Sequence, residues 1–554
     1  MDSFFTFIDA VNGFMLGVPM LVGLLLIGVL FTLWSGFCQW RSWTHGVALC
    51  AGKGIDTTHG PGALTHFQAL TAALSGTVGL GAIAGMAIAV EFGGPGAVFW
   101  MWAVGIIGMA LKTTEVTLSL LYRDVSDPAN PHGGSMYVLR KGLKEIHPKL
   151  EGVGKFFGAV FCCALLLFAV TGGNMFQTWT VADTTREYLG VPTWISGVVI
   201  ATLAGIVLIG GIKRIGAVTK VLVPFKCGIY VLIGLYVILH NVDKLPEVMH
   251  LIFAGAFSGT EGIGAFIGGG GLTAFMFGMR RALFSSESGL GTAPIAHSAV
   301  KTPEPVTEGV VAGLEPFIDT IFVCTVTGLV ILTTGVWNRG PTAAWDAQPA
   351  FIETAPGSWQ PATGLLPDAE LWHKDDPVFV VVKNAVGERA RLYGTVVETE
   401  DGQSVSWRPM ANAGAPELLE RGIFTDYRGA TLVAKSFDTV HPGLGGWLIT
   451  AAVWIFALST LITYGYYGET GVTYLGAERF VQGFRWFWCL AAAVACFGFI
   501  KSSEELDSIS TVGMGFMYAI NLPLMVVMGA RAMGAYHDYF RRLKAGQIRR
   551  PVSS

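Results

Sequence analysis

The chain has 554 residues, of which 52% are hydrophobic and 14% charged, with a formal net charge of −3 and a mean hydropathy of +0.54. Soluble domains carry about a quarter charged residues, so this composition excludes a water-clothed globular protein, a disordered chain and a collagen-like repeat. The small negative net charge gives no footing for nucleic acid, and what remains is a chain that crosses a lipid bilayer several times.

A helix needs about 20 apolar residues to cross about 30 Å of hydrocarbon. Runs of that kind predict eleven spans: 14–36, 64–90, 96–122, 155–182, 193–211, 216–240, 259–283, 306–336, 443–467, 485–502 and 510–533. The first is expected to be a span rather than a cleavable signal, because residues 1–12 hold no Lys or Arg and the run from Phe14 to Trp34 is too long. The eight cysteines form no C-x-x-C and read as small packing residues.

Lys and Arg alternate between the connections. One set of loops holds Arg41 and Lys53, Arg123 to Lys155, Lys213 and Arg214, Arg280, Arg281 and Lys301, Arg479, and a tail with Arg541, Arg542, Lys544, Arg549 and Arg550; the other holds Arg186, Lys244 and Lys501. This predicts a multi-pass protein of the cell membrane with its N-terminus outside and its C-terminus cytoplasmic. Residues 338–441 turn polar and separate a first membrane part (1–337) from a last one (442–554). Phe379–Val382 and Leu392–Val397, with Asp401-Gly402 as a turn, read as strands of a small β-rich extracytoplasmic insert.

Two spans carry glycine-rich interruptions, Ser75-Gly76-Thr77-Val78-Gly79-Leu80-Gly81 in the second and Ile267-Gly268-Gly269-Gly270-Gly271-Leu272-Thr273 in the seventh. Non-helical backbone survives at membrane depth only where protein or a polar cavity satisfies it. Matching interruptions at the first helix of each group of five spans point to an inverted-repeat transporter with a mid-depth site. Unwound carbonyls suit a small cation, and a half-helix N-terminus suits a carboxylate. The competing reading is that the glycines only let helices pack closely.

Gly76-Thr77-Val78-Gly79-Leu80-Gly81, Gly93-Gly94-Pro95-Gly96, Gly211-Ile212-Lys213-Arg214-Ile215-Gly216 and Phe284-Ser285-Ser286-Glu287-Ser288-Gly289-Leu290-Gly291-Thr292-Ala293-Pro294 together resemble the signature of the alanine or glycine:cation symporter family. The resemblance covers nearly all the membrane part but not 338–441. It implies an all-α LeuT-like 5+5 core preceded by one extra helix, coupling Na+ (sometimes H+) entry to uptake of a small neutral amino acid. It also implies substrate contacts at Thr77, Gly79, Gly173, Gln177, Gly270, Thr273, Thr460 and Tyr464, and a sodium cage from Ser75, Val78, Ser459 and Thr460. Gln177 has an alternative as an interhelical hydrogen bond, and Ser459 and Thr460 as hydroxyls bonded to helix backbone.

Two positions depart from the family pattern. Ala82 stands where Asn is usual, removing a side-chain oxygen, and Tyr464 stands where Trp is usual, changing pocket volume and polarity. Among intramembrane charges, Lys112 and Glu115 are expected to pair on one helix face, Asp319 has no evident partner, and Glu287 and Glu469 are expected to brace gating loops. An intramembrane enzyme is disfavoured, since no H-E-x-x-H or G-x-S-x-G occurs. An amino-acid sensor that signals through the insert, or a symporter for a different small amino acid, is the alternative, and the sequence leaves the oligomeric state open.

Overall fold

The computed structural model describes residues 2–53, 60–362, 364–400, 402–499 and 503–548; Asp401, Lys501, Arg549 and Arg550, used above, lie outside them. The protein is mostly helical. Among the described residues, seven helices are long and apolar enough to cross a membrane: Ala10–Trp34, Gly96–Tyr122, Pro148–Leu189, Gly211–His240, Pro305–Thr334, Leu444–Tyr474 and Glu505–Lys544. The pair His66–Thr77 and Gly81–Gly93, bent by 54°, makes an eighth. The predicted spans 193–211, 259–283 and 485–502 contain shorter helices, Thr193–Leu208, Gly271–Ser286 and Val481–Val494.

The first break falls where it was expected. Helix His66–Thr77 starts at a capping box of Thr65 and Gln68 and stops at Val78, whose ψ of 67° is not helical. The backbone restarts in a widened turn at Gly81–Gly85 before regular helix resumes at Met86. The Leu444–Tyr474 helix crosses this break closely. A Cβ on Gly79 would come within 2.5 Å of Thr460 Oγ1, so the crossing requires glycine there. Reciprocal bonds lock it: the Ser75 hydroxyl donates to Ser459 O at 2.7 Å, and the Ser459 hydroxyl to Ser75 O at 3.2 Å.

The second break is not at Gly268–Gly271. Those glycines end an irregular stretch, bridged at Thr260–Gly269 and Ile263–Phe266, that leads into the helix starting at Gly271. The buried unwinding occurs at the other end of that helix. Glu287, Gly289 and Gly291 take φ values of 51°, 80° and 89°, all in the left-handed region, and every residue from Glu287 to Thr292 is buried.

The insert explains where the glycine run goes. Its described strands are β1 (Ala343–Ala344), β2 (Phe351–Ala355), β3 (Ser358–Pro361), β4 (Pro377–Lys383), β5 (Arg389–Thr399), β6 (Gly402–Trp407), β7 (Met410–Ala411), β8 (Glu417–Leu418) and β9 (Gly422–Thr425). The larger, antiparallel sheet runs β1-β9-β4-β5-β6 with β8 also on β4, and β2-β3-β7 form a smaller one. The expected strands lie within β4 and β5 and pair directly, Phe379 opposite Tyr393 and Val380 opposite Leu392. Alternation sorts their faces. Val378, Val380, Val382, Leu392 and Val396 build the insert's own core, while Phe379, Val381 and Phe424 pack on Ala265 of the irregular stretch. Arg391 donates to Ala265 O at 2.8 and 3.2 Å and pairs with Glu91 near the end of the broken helix. The strands end at Thr425, and the helix Ala430–Asp438 returns to the membrane core, with Leu432, Val433 and Phe437 buried in it.

Candidate substrate and ion site

Four elements meet around a small pocket at the first break. The broken helix supplies Gly76, Thr77, Gly79 and Gly81; the Pro148–Leu189 helix supplies Phe168, Gly172, Gly173 and Gln177; the second break supplies Phe284 and Glu287; and the crossing helix supplies Thr460 and Tyr464. Thr77, Gly79, Gly173, Gln177, Thr460 and Tyr464 are thus brought together as expected. Gly270 and Thr273 are not: Gly270 is exposed and Thr273 half-buried at the start of their helix, because the unwinding that reaches the pocket is at Glu287. Free space in the pocket is about 10 Å3, room for about one water.

The polar atoms are set for a small zwitterion. Gln177 lies just after a widened turn at Ala169–Met175, and its amide nitrogen donates to Gly172 O at 3.2 Å. Its Oε1, and Thr77 Oγ1, are buried and find no partner among the described residues. Buried polar atoms are normally paired, so two orphaned oxygens on one pocket call for a donor such as an ammonium. Gly81, where the backbone restarts, also lines the wall. Tyr464 donates its hydroxyl to Glu287, which also accepts from Thr292 Oγ1 at 2.6 Å. Glu287 therefore lines the pocket and ties the unwound segment to the crossing helix. The sequence signal for it was the polar run Ser285–Ser288 inside an apolar segment.

Beside the pocket, the oxygens expected to hold sodium converge. Thr460 Oγ1 reaches Ser75 O at 3.3 Å and Gly76 O at 3.5 Å, and Ser459 Oγ lies next to Ser75 O. A residue not singled out from the sequence also arrives there. Lys226 Nζ, from the Gly211–His240 helix, donates to Val78 O and to Ser459 Oγ, both at 2.5 Å, and faces the Phe456 ring with 4.8 Å to its centroid. Its signal was a lysine in mid-span just after Pro224.

A broken helix crossed by a second helix, with orphaned acceptors on a small pocket, is the arrangement of a carrier. The sequence model of the sodium:alanine symporter family matches residues 1–363 and 417–553. The chain belongs to the sodium:alanine symporter family. The chain is 34% identical over 483 residues to the sodium/alanine symporter AgcS of Methanococcus maripaludis, covering 87% of this chain and 86% of that one. It is 27% identical to the sodium/proton-dependent alanine carrier protein of Bacillus sp. PS3 (87% and 90% covered) and 26% identical to the amino-acid carrier protein AlsT of Bacillus subtilis (99% and 94%). Family membership makes the chain a cation-coupled amino-acid symporter and not an enzyme. The family match leaves out 364–416, which holds the β4–β5 hairpin.

Several other buried charges of this sodium:alanine symporter family member form a chain. His66 pairs with Glu308, which accepts from His297 Nδ1 at 2.5 Å; His297 Nε2 reaches Glu315 at 2.7 Å. Lys112 lies 3.4 Å from Glu315 and 3.9 Å from Glu115, so the expected Lys112–Glu115 pair exists but is shared. Asn521 ties Glu115 to Gly289 O in the second break, at 3.2 and 2.8 Å. Asp319 does have partners: Ser285 donates to both its oxygens at 3.1 and 2.9 Å, and Thr320 to one at 3.1 Å. Glu469 is bridged by Arg485 at 2.7 and 2.8 Å on the wall of a second cavity of about 480 Å3.

Proposed function

We propose that the chain carries a small neutral amino acid of alanine or glycine size into the cell by alternating access, driven by a cation. The observation that carries this reading is the pair of unpartnered acceptors, Thr77 Oγ1 and Gln177 Oε1, on a pocket closed by Phe168, Phe284 and Tyr464. An α-ammonium satisfies those oxygens. With room for about one water, the pocket has to widen to take an amino acid, and its tight walls favour a short side chain. Thr77, Gly79, Gly173, Gln177, Thr460 and Tyr464 hold the amino acid in this reading, and Ser75, Val78, Ser459 and Thr460 supply oxygens that face a positive charge where the two helices cross.

The same reading takes the architecture as eleven spans, a LeuT-like 5+5 repeat preceded by one helix, with the short helices Thr193–Leu208, Gly271–Ser286 and Val481–Val494 completing the count. Two buried breaks that meet at one pocket support it. The Lys and Arg asymmetry supports an outer N-terminus and a cytoplasmic C-terminus. The test is uptake of labelled alanine and glycine by proteoliposomes under an inward cation gradient. Accumulation above equilibrium is expected; binding without accumulation would favour the sensor.

A further inference from the structure

We propose that the Lys226 ammonium is a built-in cation that takes the place of sodium where the broken helix and the Leu444–Tyr474 helix cross, so that this chain carries its amino acid without sodium. The inference rests on the carrier reading above and concerns which ion that carrier uses.

The geometry at Nζ is that of a bound ion. Val78 O is free to accept because the helix stops at that residue, and Ser459 Oγ approaches from the crossing helix; each lies 2.5 Å from Nζ. The face of Phe456 lies on the same ammonium, 4.8 Å from centroid to Nζ, and an aromatic face attracts a cation through its quadrupole. Lys226 is 2% exposed, so the charge is held by these groups and not by water. A cation in the expected cage would need the Val78 and Ser459 oxygens that Nζ already uses, and would meet a like charge at contact distance.

A second observation points the same way. The backbone oxygen of Ala82, the position without the usual side-chain oxygen, accepts from Thr327 Oγ1 at 3.0 Å and is already engaged. The expected cage is therefore filled by Lys226, and Ala82 offers no side-chain oxygen beside it. An ammonium on a side chain joins the two helices as an ion would, but it stays with the protein when the substrate leaves. Sodium accordingly drops out of the transport cycle.

The experiment uses the full-length protein in phospholipid vesicles, with labelled alanine uptake measured under inward gradients of sodium, of protons or of neither, with choline replacing sodium. The purified protein is also melted in sodium and in choline. Wild-type uptake is expected to agree within about two-fold with and without sodium, and its melting temperature to be indifferent to the exchange, because an ion that does not bind the folded state gives no mass-action protection. Lys226→Met is expected to lose about ten-fold or more of sodium-free uptake and to gain sodium-specific thermal protection, since truncation vacates an oxygen cage. Wild-type uptake stimulated about ten-fold or more by sodium, or sodium protection equal in wild type and variant, would overturn the inference. The wild-type measurements decide it even if Lys226→Met fails to fold. Vesicles that take up neither alanine nor glycine under any gradient would overturn the carrier reading instead.

Discussion

Replacing Arg391 by Met tests how the insert is held to the membrane core. Its guanidinium pairs with Glu91 with both side chains almost wholly buried, 3% and 8% exposed, and gives two further bonds to Ala265 O. Removing one partner of a buried ion pair leaves the other charge uncompensated and costs about 3–5 kcal/mol. Two carboxylates face Arg391, but they do not suffer equally. Asp426, 4.0 Å from Arg391, keeps Arg428 at 2.5 Å, so the orphaned charge is Glu91. Methionine keeps an apolar stem but loses the guanidinium over the Phe379 ring, 4.4 Å to its centroid, and the bonds to Ala265 O, with the orphaned charge the largest single loss. The unfolding free energy of the purified protein is therefore expected to fall by about 3–5 kcal/mol, and Glu91→Gln in the same chain to recover about half of it or more by removing the orphan. Asp426→Asn should recover none. A loss below about 1 kcal/mol, or equal rescue by the Glu91 and Asp426 variants, would refute the assignment of the dock to this pair.

Three other variants probe the pocket. Gln177→Ala should weaken alanine binding by about 10- to 100-fold, the loss of one hydrogen bond to a charged group, with thermal stability retained; unchanged affinity in a binding titration would make Gln177 a packing residue. Tyr464→Phe removes the hydroxyl that Glu287 accepts and should slow uptake by about ten-fold while the ring still fills its place, read as initial rate in proteoliposomes. Gly79→Ala places a methyl 2.5 Å from Thr460 Oγ1 and should cost about 1–3 kcal/mol of stability through overpacking. Adding Thr460→Ala removes the clashing oxygen, so the double variant should melt above Gly79→Ala alone.

The local content of the chain determined much of this protein. Apolar runs located the long membrane helices, and Gly76, Gly79 and Gly81 located the first break, because a run of missing Cβ atoms weakens a helix wherever it lies. Thr77 and Gln177 were legible through the family resemblance of the segments that hold them. The β4 and β5 segments were legible as strands, but β4 is apolar on both faces, so which face builds the insert's core and which docks was not. Tertiary structure decided what those features meet. Four consecutive glycines at 268–271 announced a break more loudly than Glu287–Thr292, but they lead from a stretch held by Arg391 and Phe379 of the insert, while the quieter segment unwinds in the core beside Tyr464 and Asn521. Lys226 was visible as a charge in an apolar run, and nothing within its own helix says that its ammonium ends at Val78 and Ser459. A residue's chemistry is local, but the partner that satisfies a buried charge or a freed carbonyl comes from chain 148 or 233 positions away, and that pairing exists only after the helices have crossed.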